Sequence, residues 1–273
     1  MSLELNINQK PLVMGILNVT PDSFSDGGKY TQIDKALDHA LGMIEDGADI
    51  IDIGGESSRP GSKEVSSQEE IDRVIPVIEK IRNDSNIPIS IDTTKASVMS
   101  EAVKFKIQII NDISSLKDED AFSVLKNNNV YICLMHMKGT PKNMQDNPIY
   151  ENVVEEVKNF LEEKINLCVK RGILKERLII DPGFGFGKTL DHNYLLLKNL
   201  QRIKNLHKNL LVGISRKSMI GNLLNKSPEQ RLHGSLAATL LSIYNGANII
   251  RTHDVRETKL LLNITKEIAD YNL

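Results

Sequence analysis

Short apolar runs alternate with longer amphipathic stretches along the whole of this 273-residue chain, and that alternation limits its fold more than any other feature. The runs are Leu12–Leu17, Ile50–Ile53, Ile87–Ile91, Ile107–Ile110, Val130–Leu134, Leu178–Ile180, Leu210–Ile214 and Ala247–Ile250. Runs this short and this rich in Ile, Val and Leu read as buried strands. Between them the apolar residues fall at helical spacing, as in Ile33, Leu37, Ala40, Leu41 and Ile44, or Ile71, Val74, Ile75 and Ile78. Strict alternation implies parallel strands joined by crossover helices. Eight such units in a chain of this length suit an α/β fold of the (β/α)8 TIM-barrel type better than an open doubly wound sheet. No Gly/Ser-rich linker or shift in composition marks a boundary, so residues 1–273 are expected to form a single domain. Locally, Ser67 and Glu70 read as a capping box, Pro76 is expected to kink its helix, and one helix is expected over Leu190–Asn205.

Charge and cysteine usage narrow the function classes. The 34 basic and 36 acidic residues nearly cancel, leaving a net charge of −2, with no basic excess or polybasic tail. Neither nucleic acid nor a membrane surface is an expected partner. Cys133 and Cys168 belong to no Cys-x-x-Cys pair and read as buried free thiols suited to a reducing cytosol. Met1 to Lys10 has no apolar core of the secretory kind, and no stretch approaches the ~20 apolar residues of a membrane helix. A cytoplasmic location is the expectation.

In a barrel, the residues just past the strand ends meet at one face, where such enzymes place their sites. The first run ends in Asn18 and opens into Val19-Thr20-Pro21-Asp22-Ser23-Phe24-Ser25-Asp26-Gly27-Gly28, which alone would pass for a surface turn. The other runs end in the same way. Glu56 and Arg59 follow the second, Asp92 the third, Asn111 the fourth, Met135 and His136 the fifth. Asp181 follows the sixth, Arg216 and Lys217 the seventh, Arg251 and His253 the eighth. The acceptors Asp92, Asn111 and Asp181 suit a flat, donor-rich heterocycle of the guanidine type, because a carboxylate can take two adjacent N–H groups. Lys217 and Arg251 supply donors and a planar cation able to stack on a ring. Asn18, Arg251 and His253 suit a phosphate-like anion aided by a divalent metal on the Asn18 oxygen. His136 reads as a structural histidine. Gly183-Phe184-Gly185-Phe186-Gly187-Lys188-Thr189 is not a P-loop, because Pro182 stands where the first glycine would have to be. It reads as a tight turn that leaves Phe186 free to pack on a flat ligand.

These motifs, in order and over essentially the whole chain, resemble the dihydropteroate synthase family. The resemblance rests on residues 18–28, Gly54-Gly55-Glu56-Ser57-Ser58-Arg59-Pro60-Gly61, Ile91-Asp92-Thr93-Thr94-Lys95 and Asn111-Asp112. It rests equally on residues 181–188, Ser215-Arg216-Lys217-Ser218 and Arg251-Thr252-His253. It implies a homodimeric, Mg2+-dependent barrel enzyme of folate biosynthesis. Such an enzyme joins 6-hydroxymethyl-7,8-dihydropterin diphosphate to p-aminobenzoate, a substrate that sulfonamides mimic, and releases pyrophosphate. Carried onto this chain, the resemblance gives the pterin to Asp92, Asn111, Met135, Asp181, Phe186, Lys217 and Arg251. It gives the metal to Asn18. It sets Phe24, Ser58, Arg59, Pro60, Ser218 and His253 around p-aminobenzoate and the diphosphate, with Lys217 also near p-aminobenzoate. Asp92, Lys217, Arg251 and His253 would carry the catalysis, and residues 20–28 would form a mobile lid bearing Phe24. One departure is Ser58, where the family usually has threonine. The alternatives are a pterin-binding methyltransferase acting on methyltetrahydrofolate and a non-catalytic pterin-binding paralogue. The residues for the diphosphate side count against the first, and the presence of Asn18, Asp92 and Lys217 against the second. A metal hydrolase would need clustered ligands such as His-x-His, which the chain lacks.

Overall fold

The computed structural model describes residues 11–20 and 29–270. Eight parallel strands form the expected barrel: β1 (Leu12–Asn18), β2 (Ile50–Gly54), β3 (Ile89–Asp92), β4 (Ile109–Asp112), β5 (Tyr131–Met135), β6 (Leu178–Asp181), β7 (Leu211–Val212) and β8 (Ile249–Thr252). Each pairs with its neighbour, β1 pairs with β8, and a bridge between Ile180 and Leu210 joins β6 to β7 and closes the ring. The helices α1 (Lys29–Glu45), α2 (Ser67–Asp84), α3 (Ala96–Val103), α4 (Ala121–Asn127), α5 (Val153–Lys170), α6 (Leu190–Lys198), α7 (Leu200–Lys204), α8 (Ser218–Leu224), α9 (Leu232–Tyr244) and α10 (Val255–Asp270) surround it.

Because side chains alternate along a strand, each strand serves two cores. Val13, Leu17, Ile51, Ile53, Ile91, Ile110, Leu134, Ile180, Val212 and Ile250 face outward and pack beneath the helices. Leu12, Met14, Ile50, Ile109, Cys133, Ile179, Leu211 and Ile249 face inward and form a separate buried cluster that plugs the barrel. The barrel is therefore a filled core rather than a pore.

Local expectations are corrected in two places. The cap of α2 is Ser66, whose hydroxyl accepts the N–H of Glu69. Glu70 turns inward instead and pairs with Lys95 at 2.5 Å. The stretch expected as one helix over Leu190–Asn205 is two, α6 and α7, meeting at Asn199. There the Asn199 amide donates to the Leu195 carbonyl and competes with the backbone for it. Pro76 lies within α2, which runs as a helix from Ser67 to Asp84.

Polar clamps hold the N-terminal ends of the strands. Arg82 reaches the carbonyls of Ile87, Phe105 and Lys106. Asn248 accepts the Leu210 N–H and donates to Lys208. Arg177 donates to the carbonyls of Val130, Leu125 and Asn128 at 2.7–2.8 Å. Three carbonyls on one guanidinium form a charge-assisted tie between α4, β5 and β6. Arg177→Ala is expected to destabilise the fold by about 2–3 kcal/mol and to lower the melting temperature by roughly 5–10 °C. A calorimetric scan of the variant that matches the unaltered protein would remove this clamp from the stability account.

Candidate active site

The apolar plug stops at one level, and the next inward position is polar or small on β2, β4, β6, β8 and just past β7, whereas on β5 it is Met135. Two residues beyond Ile50 stands Asp52, beyond Ile109 Asn111, beyond Cys133 Met135, beyond Ile179 Asp181, beyond Leu211 Gly213 and beyond Ile249 Arg251. Asp92 ends β3 in register with Gly54 and Asn111, and Asn18 ends β1 in register with Gly54. A period of two residues thus turns eight strand ends into one ring of side chains.

Arg251 is the centre of that ring. Its Nε donates to Asp52 Oδ2 at 2.6 Å and one terminal nitrogen donates to Asp92 Oδ2 at 2.7 Å. Asn111 Nδ2 lies 3.3 Å from the same Asp52 oxygen. Asp52 is wholly buried, whereas the Asp92 side chain keeps 12% of its surface at the mouth. Burial pushes the Asp92 carboxyl up to about 7; the Arg251 guanidinium opposes this and the Asp52 carboxylate adds to it. Burial would lower Arg251, but its two carboxylate partners raise it above the ordinary arginine value, so it is a permanent cation.

Opposite stands Asp181, raised by burial and held back by Lys217, with one oxygen accepting the Gly183 N–H at 2.7 Å. Lys217 precedes α8, donates to the Phe184 carbonyl at 2.5 Å, and sits 4.5 Å from the centre of the Phe186 ring. Burial pushes Lys217 down to about 8. The loop between Asp181 and Lys188 is shaped by close approach. Gly183 has φ +67°, and a Cβ there would lie 1.9 Å from the His136 carbonyl oxygen, so only glycine fits. Buried Lys188 holds this loop from beneath, donating to the carbonyls of Gly183 at 2.9 Å and Phe186 at 3.1 Å and to His136 Nδ1 at 2.9 Å. Burial and the Lys188 cation hold His136 down at about 2, so its neutral ring accepts that bond, as its structural reading requires.

The rim carries the remaining groups. The Ser215 hydroxyl accepts the His253 N–H and lies 3.1 Å from its Nδ1, while Arg216 forks onto Asp254. The loops after β7 and β8 are thereby locked together. Packing around the His253 ring, then the Arg251, Arg216 and Arg59 cations, holds it down at about 4. Ser58 is half-buried and Arg59, Pro60 and Ser218 are exposed. Their loop is rooted by Lys95, which pairs with both Glu56 and buried Glu70. Asn18, Asp92, Asn111, Met135, Asp181, Phe186, Lys217 and Arg251 come together at the mouth, with His253, Ser58, Arg59, Pro60 and Ser218 around it. Phe24 and residues 21–28 lie outside the described residues.

Among the described residues no group of three His, Cys, Asp or Glu side chains converges to hold a metal. A Cβ on Gly54 would lie 3.9 Å from Asn18 Oδ1 and 3.8 Å from Asp92 Oδ2, so bare glycine leaves a space flanked by two hard oxygens. Such a sparse oxygen set fits Mg2+, which keeps water and takes substrate phosphate oxygens to fill its shell.

Three participants are not evident from strand-end positions. Asp52 lies inside an apolar run, Lys188 beyond a turn, and Glu70 within a helix. A charge interrupting Ile50-Ile51-Asp52-Ile53 was the available signal, because a buried carboxylate needs a partner.

A closed (β/α)8 barrel with acceptors and cations gathered at the C-terminal mouth defines a barrel enzyme that binds a flat polar ring beside an anion. The profile of the pterin binding enzyme family matches residues 14–253, and the chain belongs to that family. It is 53% identical over 248 residues to the dihydropteroate synthase of Escherichia coli K12, which covers 91% of this chain and 88% of that one. The dihydropteroate synthase of Yersinia pestis, solved with a sulfonamide drug complex, superposes with a TM-score of 0.92 at 48% identity and covers 98% of each chain. That of Xanthomonas albilineans, in complex with 7,8-dihydropteroate, gives a TM-score of 0.88 at 42% identity, covering 98% of this chain and 97% of that one.

Proposed function

We propose that this protein is a dihydropteroate synthase, joining 6-hydroxymethyl-7,8-dihydropterin diphosphate to p-aminobenzoate and releasing pyrophosphate. The observation that carries the reading is the ring of Asp92, Asn111, Asp181, Lys217 and Arg251 at the C-terminal mouth, in which acceptors and donors stand together beside Met135 and Phe186. Asp181 and Asn111 accept the N–H groups of the pterin's guanidine-like edge, Lys217 donates to its acceptor edge, and Arg251 lies against the ring. The carbon–oxygen bond from the pterin methylene to the diphosphate breaks, and the electron pair leaves with the anion toward Arg251 and His253. Asp92 stabilises the electron-poor ring. The arylamine nitrogen, held near Ser58, Pro60, Lys217 and Ser218, then forms the new carbon–nitrogen bond and gives up one proton. Asn18 would hold Mg2+, which when bound supplies positive charge to the diphosphate. Sulfonamides would compete on the arylamine side.

A homodimer accords with exposed apolar side chains on the outer helices, among them Leu223 of α8, Leu241 and Tyr244 of α9, and Leu260 and Ile264 of α10. A cytoplasmic setting accords with the two buried free cysteines.

The direct test is pyrophosphate release from the pterin diphosphate with and without p-aminobenzoate. Release should require the arylamine, yield dihydropteroate, and stop when EDTA removes Mg2+; release that persists under EDTA would refute the metal role. Asp92→Asn and Lys217→Ala should each lower turnover at least ~100-fold with the fold intact, and near-normal turnover in either would overturn its assignment. Lys217 donates only while protonated, and burial has lowered its titration to about 8. Affinity for dihydropteroate should therefore decline as the pH rises through about 8, as titration calorimetry across the alkaline range would report. A flat profile there would count against a charged Lys217 in the site.

A further inference from the structure

The reading of the site leaves one group at its base without a task. Asp52 is wholly buried and stands directly above Ile50 of the apolar plug, carrying a carboxylate where the layer beneath it is apolar. One of its oxygens, Oδ2, serves both Arg251 and Asn111, at 2.6 and 3.3 Å. The other, Oδ1, is buried with no hydrogen-bond partner, as is the hydroxyl of Ser90, its register partner on β3. An apolar side chain here would extend the plug without the desolvation that an ionised carboxylate suffers, so stability alone does not account for Asp52.

What Asp52 does is visible in its partners. Arg251 touches two carboxylates, and only Asp92 reaches the mouth. When a ligand recruits Asp92, the guanidinium keeps its anchor below. Asn111 presents its NH2 end to a group that can only accept, so its carbonyl oxygen is left for the ligand side. We propose that Asp52 is a positioning residue for the transfer reaction, which from beneath the pocket fixes the Arg251 guanidinium and the Asn111 amide and so frees Asp92 for the pterin. The inference rests on the synthase reading above. Asp52 never touches substrate; it acts through two residues that do. The charged groups acting on Asp92 include Arg251 on β8, Asp52 on β2, Glu70 on α2, Asp112 on β4 and Lys217 ahead of α8. Removing Asp52 withdraws a negative neighbour, so the Asp92 carboxyl should then ionise at lower pH.

Asp52→Asn keeps the shape and removes the charge. In the full-length protein, with Mg2+ and both substrates, it should lower kcat at least ~10-fold and weaken binding of dihydropteroate. The KM for p-aminobenzoate should stay within about twofold, as expected when an interaction felt at the pterin end is lost. The acid limb of kcat/KM should also move to lower pH, a shift that a merely structural residue would not cause. If Asp52→Asn does not fold, Asp52→Ser replaces it in the same assays. Kinetics and an acid limb equal to the unaltered enzyme in a folded variant, or failure of both variants to fold, would overturn the inference while leaving the synthase reading intact. An unaltered protein that makes no dihydropteroate would instead overturn the synthase reading, and the inference with it.

Discussion

The site depends on one guanidinium placed between two carboxylates inside a barrel. Arg251 sits above an apolar plug, where an unpaired charge would be too costly to keep, and its contacts with Asp52 and Asp92 are what make it tolerable there. The arrangement constrains the surrounding strands. Gly213, just past β7, lies beside Arg251, where a Cβ would be in ordinary van der Waals contact with the Arg251 Cβ at 3.6 Å. Gly54 on β2 leaves open the space between Asn18 and Asp92. Two acids on adjacent strands, Asp52 on β2 and Asp92 on β3, are thus explained by a single cation.

The plug and the clamps keep this arrangement rigid without taking part in it. Arg82, Arg177 and Asn248 tie the N-terminal ends of the strands, on the face opposite the site. At the other end Lys188 and Lys95 use the same device, an amine shared among oxygens, to root the loops that carry Phe186 and Arg59. Stability and chemistry are therefore separated along the barrel axis, as is usual for this architecture.

The fold was legible because its signal is periodic and repeated. Each apolar run became a strand, although several start or end a residue or two from the run itself. Most of the site was legible for the same reason: Asp92, Asn111, Asp181 and Arg251 stand at or just beyond the ends of their runs, where a parallel barrel must expose them. What was hidden depended on direction rather than position. Ser66 instead of Ser67 caps α2, and Glu70 faces Lys95 rather than the helix terminus. Asp52 is at the interior parity of β2, two residues before Gly54, and its importance appears only once Arg251 from the far end of the chain is beside it. No local pattern encodes a pairing between residues 199 positions apart.

The charges in and beneath the mouth also say what kind of ligand the ring prefers. Three carboxylates, those of Asp52, Asp92 and Asp181, face two cations, Lys217 and Arg251. Asp92 and Asp181 are pushed up by burial and Lys217 is pushed down, so each holds its charge less firmly than it would in water. A neutral ring with N–H groups on one edge and acceptors on the other relieves this, because it stabilises the charged form of every group without adding a charge of its own. An anionic ring would meet Asp92 and Asp181 directly. A ring that becomes electron-poor as its side-chain bond to an anion breaks gains most, since the carboxylates are already aimed at the developing charge and need not reorganise. At the rim the departing anion would meet the Arg59 and Arg251 cations, with His253 beside them. The same field that would resist a permanently charged ring therefore favours charge separation across the bond that has to break.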